Sequence, residues 1–451
     1  MLSALGLIGG LALLIVFTVR GMNILIAAPL CAALVALTSG LAWLPPLAAA
    51  GAPDFATAYM AGFTGFFADW FLMFLLGAIF GEVMGRTGAA DSVAHWIVAT
   101  FGIKHAVLAV VAACAVLTYG GVSVFIVAFS VYPMAVSLFK AANLPRRFIP
   151  GTMAFGSVTF TMTSAGSPEI QNLIPMQYLG TKATAAWEVS LVVAVLMAIA
   201  GTLWLKSMIA KAVAGGEAFA ARGDDRKDIA LAGAPSALAS LMPLLAVLAV
   251  FLMTQYPALW LGLGAGMPGN GLGKWGLVVA LGAGVLAAIL IGQRNREAIP
   301  QAFSVGAVSA VIAIVNTCAV VGFGAIAKLS PAFLAALDGL QSLPGDPLIG
   351  AAIAVTVIAA LTGSASGGQS IALPLIAPTY LEAGVNPNEF HRVVAIASGA
   401  LDSLPHNGYV VTTIRAICGE THGGAYLPLG ALTVIVPLAG LSIALGLFIL
   451  L

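Results

Sequence analysis

The sequence predicts an all-α membrane protein built from two inverted repeats, each holding a re-entrant hairpin and a broken transmembrane helix. Three observations carry this expectation. The 451 residues are 61% hydrophobic and only 8% charged, whereas a soluble domain gives about a quarter of its residues to charge. Apolar runs of spanning length recur along the chain. The irregular places between them are related in pairs by one constant shift in numbering.

The spans come first. Residues 2–19, 23–44, 69–84, 185–210, 236–254, 275–291, 303–327 and 427–451 read as helices of about 20 apolar residues, the length that crosses a hydrocarbon core. The stretch Leu2–Val19 lacks a basic leader and a small-residue cleavage site, so it reads as a retained helix and not as a signal peptide. The one charged linker, 212–234, divides a first repeat (1–211) from a second (235–451) and is expected to be cytoplasmic.

Four segments do not fit a simple span. The arms 106–117 and 125–138 flank a polar tip at 118–123, and each arm is roughly 20 Å long as helix, short for a core of about 30 Å. Residues 348–361 and 371–378 repeat the pattern around 362–370. Re-entrant hairpins are therefore expected at about 105–139 and 347–380. Two more segments, 148–180 and 392–418, are interrupted at 164–168 and at 404–408 and read as broken helices. A shift of 243 residues carries Phe80 and Gly81 onto Phe323 and Gly324, Gly120 onto Gly363, Ser123 onto Ser366, Ala154 onto Ala397 and Gly156 onto Gly399. A few Gly or Ala identities arise easily in such a chain. The same order of span, hairpin and broken helix at one offset does not, and it reads as an internal duplication.

Orientation follows from the basic residues. With both termini periplasmic and the hairpins re-entrant, 14 of the 18 Lys and Arg residues fall inside. They include Arg20, Arg86, Lys104, Lys140, Arg146, Arg147, Arg222, Arg226, Lys227, Arg294 and Arg296. Lys182, Lys274, Lys328 and Arg392 fall outside. The first hairpin then enters from the cytoplasm and the second from the opposite side of a bacterial-type inner membrane.

Non-helical backbone survives at membrane depth only inside protein or beside a watery cavity. The four breaks are expected to converge, with restarting helices presenting free N–H groups and positive dipole ends to a small organic anion. Candidate binding groups are Gly120, Gly121, Ser123, Thr163, Ser164, Ser167, Ser364, Ser366, Gln369, Ser370, His406 and Asn407. Taken singly, each serine is as easily a packing device that lets membrane helices approach. Glu169, after Ser167 and Pro168, sits where a helix dipole stabilises a carboxylate, and capping alone could explain it. Asp402 and His406 are four apart and would share a face if that stretch were helical; an Asp–His structural pair is the plainer alternative. Glu169, Asp402 and His406 are the candidate proton carriers. Glu82 and Glu188 read as interfacial or helix-packing groups, and His95, His105, His391 and His422 as solvated ones.

Other classes find no support. Net charge is +1, which points to no nucleic acid. Cys31, Cys114, Cys318 and Cys418 show no metal or disulfide spacing, so no metal site and no cofactor is expected. HExxH, P-loop and GxSxG patterns are missing, which argues against an enzyme or an ATP-driven pump. A passive anion channel would use the same polar breaks but would not accumulate its ion. An intramembrane enzyme on Asp402 and His406 would need a second acid or a metal set.

Residues 75–97 (LLGAIFGEVMGRTGAADSVAHWI), 119–129 (YGGVSVFIVAF) and the order of hairpin and broken helix resemble the gluconate permease family, GntP, of the ion transporter superfamily. The resemblance covers most of the chain. It implies proton-coupled uptake of a hydroxylated carboxylate, with sodium as the alternative ion, and a homodimer with an elevator-like moving domain. Gluconate permeases carry a GxPLFFEVGF-like tip; here Ser123 replaces its proline and Val127 occupies its acidic position. Residues 398–426 (SGALDSLPHNGYVVTTIRAICGETHGGAY) look more like the 3-hydroxybutyrate permease branch. The resemblance therefore implies D-3-hydroxybutyrate as substrate ahead of gluconate.

Overall fold

The computed structural model describes residues 1–102, 105–222, 234–256, 272–292, 297–341 and 345–450. Lys104, Arg226, Lys227, Arg294 and Arg296, used above for orientation, lie outside these, as do most of the predicted linker and Leu451. The described chain is helical, with one isolated bridge between Ala42 and Asp54.

The first half runs through α1 (Leu2–Val19), α2 (Ile24–Thr38), α3 (Phe55–Arg86), α4 (Ala89–Phe101), α5 (Ala106–Tyr119), α6 (Val124–Ala141), α7 (Ile149–Ala154), α8 (Ile170–Leu179) and α9 (Trp187–Ala214). The second half follows the same order with α10 (Ala237–Gln255), α11 (Lys274–Ile291), α12 (Ile299–Ala327), α13 (Pro331–Gln341), α14 (Pro347–Thr362), α15 (Ala365–Glu382), α16 (Pro387–Ser398), α17 (Gly408–Val411) and α18 (His422–Leu450). α7 continues into a π turn, Phe155–Thr159, before its break, and α17 continues into another, Thr412–Ile417.

Six described helices are long and apolar enough to cross a membrane: α3, α9, α10, α11, α12 and α18. Large apolar side chains face outward along them, as on α9 at Leu191, Val195, Ile199 and Leu203. That is the surface a helix needs in lipid.

Two predicted spans are corrected. The span expected at 69–84 is the end of α3, which has 32 residues and is about 48 Å long, well beyond a core of about 30 Å. Its first half, FATAYMAGFTGFFADW, is apolar as well and carries one charge, Asp69; Asp54 starts the helix by accepting from the Thr57 N–H at 3.0 Å. The span expected at 23–44 stops at Thr38, ahead of Gly40 and Pro45.

Small residues set the packing. α3 and α12, matching members of the two halves, lie along each other. A Cβ on Gly62 would stand 2.6 Å from that of Ala325, and one on Gly306 would stand 2.8 Å from the Ile79 backbone. The Tyr59 hydroxyl donates to the Ala319 carbonyl across the same seam. Each second span crosses to the other half's long helix, α2 to α12 and α11 to α3. Beside this bundle stand the two helical hairpins, α5–α6 and α14–α15, and the two broken helices. The described start of the linker is strapped to that region. Arg147 holds Glu217 through two 2.7 Å bonds, and Arg222 reaches Glu420 at 2.8 Å.

Candidate functional site

Each hairpin tip is bonded to the broken helix of its own half. At the first tip Gly120 and Gly121 turn the chain, with Gly121 at φ +89°. The Tyr119 hydroxyl donates to the Ala165 carbonyl in the first break at 2.7 Å. At the second tip Gly363 has φ +57°, and a Cβ there would stand 2.7 Å from the His406 ring. The Asn407 amide donates to the Gly363 carbonyl at 3.0 Å.

The halves then meet through the breaks. A Cβ on Gly399 would touch the Thr163 side chain at 3.0 Å. Gln369, in the first turns of α15, donates to the Gln171 carbonyl of α8 at 3.1 Å and to Ser398 Oγ at 2.8 Å. In the corresponding place of the other half, Phe125 of α6 sets its ring edge-on to Tyr409 of α17. Both breaks and the second tip thus adjoin one another, and the first tip reaches them through Tyr119.

Two readings made on the sequence change here. Residues 399–407 are turns, not helix, so Asp402 and His406 share no helical face. Asp402 instead accepts from Ser403 Oγ at 2.9 Å. His391 and Arg392, expected to be solvated or outside, are fully buried in α16. His391 Nδ1 meets Thr181 Oγ1 at 2.6 Å. The polar string Pro387-Asn-Glu-Phe-His-Arg gives no hint of burial. The signal for a helix was Phe390, Val393, Val394 and Ala397 at helical spacing.

Arg392 is the largest fully buried side chain described. Its Nε and Nη2 donate to the Ala185 carbonyl, Nη2 also to Ala183 O at 3.1 Å, and Nη1 to Thr163 O and to Asn172 Oδ1 at 2.8 Å. Asn172 then turns its Nδ2 on the carbonyls of Met162, Ser164 and Ser167, at 3.3, 2.9 and 3.2 Å. Phe160 O accepts from Ser164 Oγ and Thr161 O from the Ser164 N–H. At the second break Asn407 takes the Asp402 and Leu404 carbonyls, Tyr426 takes Ser403 O, and His422 Nε2 meets Pro405 O. The carbonyls of both breaks are largely spoken for by protein donors.

The predicted site residues divide accordingly. Ser164, Ser364 and Asn407 spend their side chains on the fold; Ser364 Oγ caps the Gly367 N–H and Asn407 Oδ1 the Val410 N–H. Ser123 begins α6 without a capping bond, and Ser366 lies 3.4 Å from Ser364. Ser167 Oγ, Ser370 Oγ, Gln369 Oε1 and both His406 ring nitrogens are buried without a hydrogen-bond partner among the described residues, as is Gln171 Oε1. Glu169 is the N-cap of α8, yet its carboxyl makes no capping bond, so capping does not account for it. Glu82 pairs with Arg86 at 2.9 Å. Gln171, Asn172, Ser398, Tyr119 and Arg392 were missed on the sequence because nothing in their spacing marks them. Two open clefts, of about 360 and 470 Å³, lie to one side around Ala186 and Asn388. No cluster of His, Cys, Asp and Glu able to hold a metal is present among the described residues.

A helical bundle with this outer surface and a polar centre built from both halves is a multi-pass membrane protein. The uncharacterized transporter YxjC of Bacillus subtilis (strain 168) is 37% identical over 458 residues, covering 94% of each chain. The chain belongs to the family of that transporter. The crystal structure of the Alcanivorax borkumensis YdaH transporter, reported to have an unusual topology, matches 97% of this chain and 98% of its own at a TM-score of 0.58. Its identity is 19%, so that likeness concerns the fold. No family model matches the sequence.

Proposed function

We propose that the protein is a proton-coupled secondary transporter that imports a short hydroxy-monocarboxylate, with D-3-hydroxybutyrate as the first candidate. Kinship with a chain named as a transporter supports the class. The observation that carries the reading is the sorting of polar groups at the breaks. Carbonyl oxygens, the negative ends of the backbone, are tied up by Arg392, Asn172, Asn407, Tyr119 and Tyr426. What is left toward the centre is the start of α8, where the N–H groups of Ile170 and Gln171 have no helical acceptor, and the uncommitted groups of Ser167, Gln171, Gln369, Ser370 and His406. The Ser167 and Ser370 hydroxyls can donate to a carboxylate, and the Gln171 and Gln369 amide oxygens can accept from a ligand hydroxyl. The same oxygens can also ligate sodium, so the choice of proton over sodium rests on the uptake test below.

The matching contact in the other half is apolar, with Phe125 set edge-on to Tyr409. One polar flank and one apolar flank fit a short acid with a methyl end better than a polyol such as gluconate. The resemblance to the gluconate permease family, and to its 3-hydroxybutyrate branch, supports the same choice.

Each half has an odd number of crossings when its hairpin re-enters and its amphipathic fourth helix lies at the interface. An odd number turns the second half over. The repeats are then inverted, as alternating access requires. Asp402 and Glu169 are the proton carriers in this scheme, since a protonated acid lets the loaded site cross without a net buried charge.

The test is uptake of radiolabelled D-3-hydroxybutyrate into proteoliposomes under an inward pH gradient without sodium. Accumulation that a protonophore collapses, competed by unlabelled hydroxybutyrate and not by gluconate, is expected. A requirement for sodium would remove the proton role, and mere equilibration under every gradient would mark a channel.

A further inference from the structure

We propose that Arg392 is the fixed positive charge that makes this site select anions, acting as a positioning residue that never touches the substrate. The inference deepens the carboxylate reading above and rests on it.

Burying a charge is costly, and buried charges are ordinarily paired. Arg392 has a full set of partners and no counter-charge. All five of its N–H donors are used, and every acceptor is neutral: the carbonyls of Thr163, Ala183 and Ala185 and the amide oxygen of Asn172. No described carboxylate lies within ion-pair distance of it. The guanidinium keeps its proton, so hydrogen bonding is complete while the charge is not cancelled. With no donor left over, Arg392 cannot be a direct ligand.

It acts in two other ways. Its bond to Asn172 Oδ1 fixes that amide so that Nδ2 must face inward, onto the carbonyls of Met162, Ser164 and Ser167. One arginine thereby turns the negative ends of the first break away from a ligand. Its charge also adds to the positive end of α8, within a region where the dielectric is low and fields reach far. The buried, unpartnered Ser167 Oγ can donate to the carboxylate the charge attracts, while Gln171 Oε1 and Gln369 Oε1, also buried and unpartnered, can accept from a ligand hydroxyl. Because Arg392 belongs to the second half and the break to the first, the selecting charge is delivered across the repeat boundary.

The test uses the purified full-length protein in lipid nanodiscs, with Arg392→Gln and Arg392→Lys. Thermal stabilisation is titrated with D-3-hydroxybutyrate, butyrate and gluconate, and with the uncharged amide of each. The wild type should prefer at least one acid over its amide. R392Q should lose that preference, with about tenfold or greater weakening for the acid alone, while R392K keeps it in part because the charge remains. Equal loss in both variants for acid and amide alike would assign Arg392 a purely structural role and overturn the proposal. So would a wild type that never distinguishes an acid from its amide. Stabilisation by butyrate or gluconate but not hydroxybutyrate sinks the substrate choice and leaves the proposal standing. Should R392Q not fold, Asn172→Asp cancels the charge with the arginine in place and must weaken acid binding likewise; unchanged acid affinity in N172D contradicts the proposal.

Discussion

The two hairpin tips occupy matching places in the two halves and are built differently. The second is polar. Gly363 seats against His406, Ser364 caps α15, and Gln369 bonds to α8 of the other half. The first is apolar and pressed on the bundle; a Cβ on Gly120 would stand 2.7 Å from Leu244, and one on Gly121 3.0 Å from Val247. Its one described side-chain tie to the break is the Tyr119 hydroxyl. The two halves thus share an order of elements and differ in the chemistry of their tips. In the proposed scheme the second tip takes the polar end of the ligand and the first closes against the framework.

The largest effect that would break this comparison is expected at Gly363→Val. The residue sits in left-handed backbone, which costs an L side chain about 1–2 kcal/mol, and the new methyls would drive into His406. Uptake should vanish with a lowered melting temperature, whereas retained uptake would mean the second tip is not part of the site. Next is Asp402→Asn, which should abolish accumulation driven by a pH gradient, by about tenfold or more, and spare substrate exchange. Exchange and accumulation falling together would remove Asp402 from coupling.

Tyr119→Phe should have a smaller, selective effect. Losing one buried hydrogen bond costs about 0.5–1.5 kcal/mol. Because the tie is at the first tip, the apparent affinity should hold while the maximal rate falls severalfold. A change in affinity with an unchanged rate would place recognition at the first tip after all.

The smallest effect lies in the strap of the linker. The Arg147 guanidinium bonded to Glu217 holds that carboxyl below its ordinary range. A group depressed in the folded state contributes stability above its unfolded value of 4.5, and the contribution is lost as pH falls through the folded value. Glu217→Gln should therefore flatten the acid limb of a melting-temperature profile slightly, and raised salt should do the same, since an exposed pair is screened. An unaltered acid limb would show that the strap contributes nothing.

Much of this architecture is legible in the sequence because lipid imposes a simple rule: apolar length makes a span, and Gly, Ser or Pro at depth marks a break. The helical character, the tips at Gly120 and Gly363 and the interruptions near Ser164 and Leu404 follow from that rule. Where one charge interrupts an apolar stretch, as Asp69 does in α3, a span read from its far side starts too late. The centre was legible only in outline. Ser167, Gln369 and His406 can be picked out as polar groups at breaks. Arg392 and Asn172 cannot, because their meaning lies in which carbonyls they bind 220 residues apart, and no periodicity encodes a contact between halves. The expected Asp402–His406 pairing failed for a related reason: it assumed helix across a segment whose Asn407 and Gly363 contacts hold it as turns.

The most direct test of the central claim, that both halves build one anion site at the breaks, is a cryo-electron microscopy map of the protein with D-3-hydroxybutyrate. The account predicts density at the first turn of α8, within hydrogen-bond reach of Ser167 and Gln369, with the methyl end toward Phe125 and Tyr409. Ligand density confined to the clefts around Ala186 and Asn388, with the breaks unchanged and empty, would contradict it.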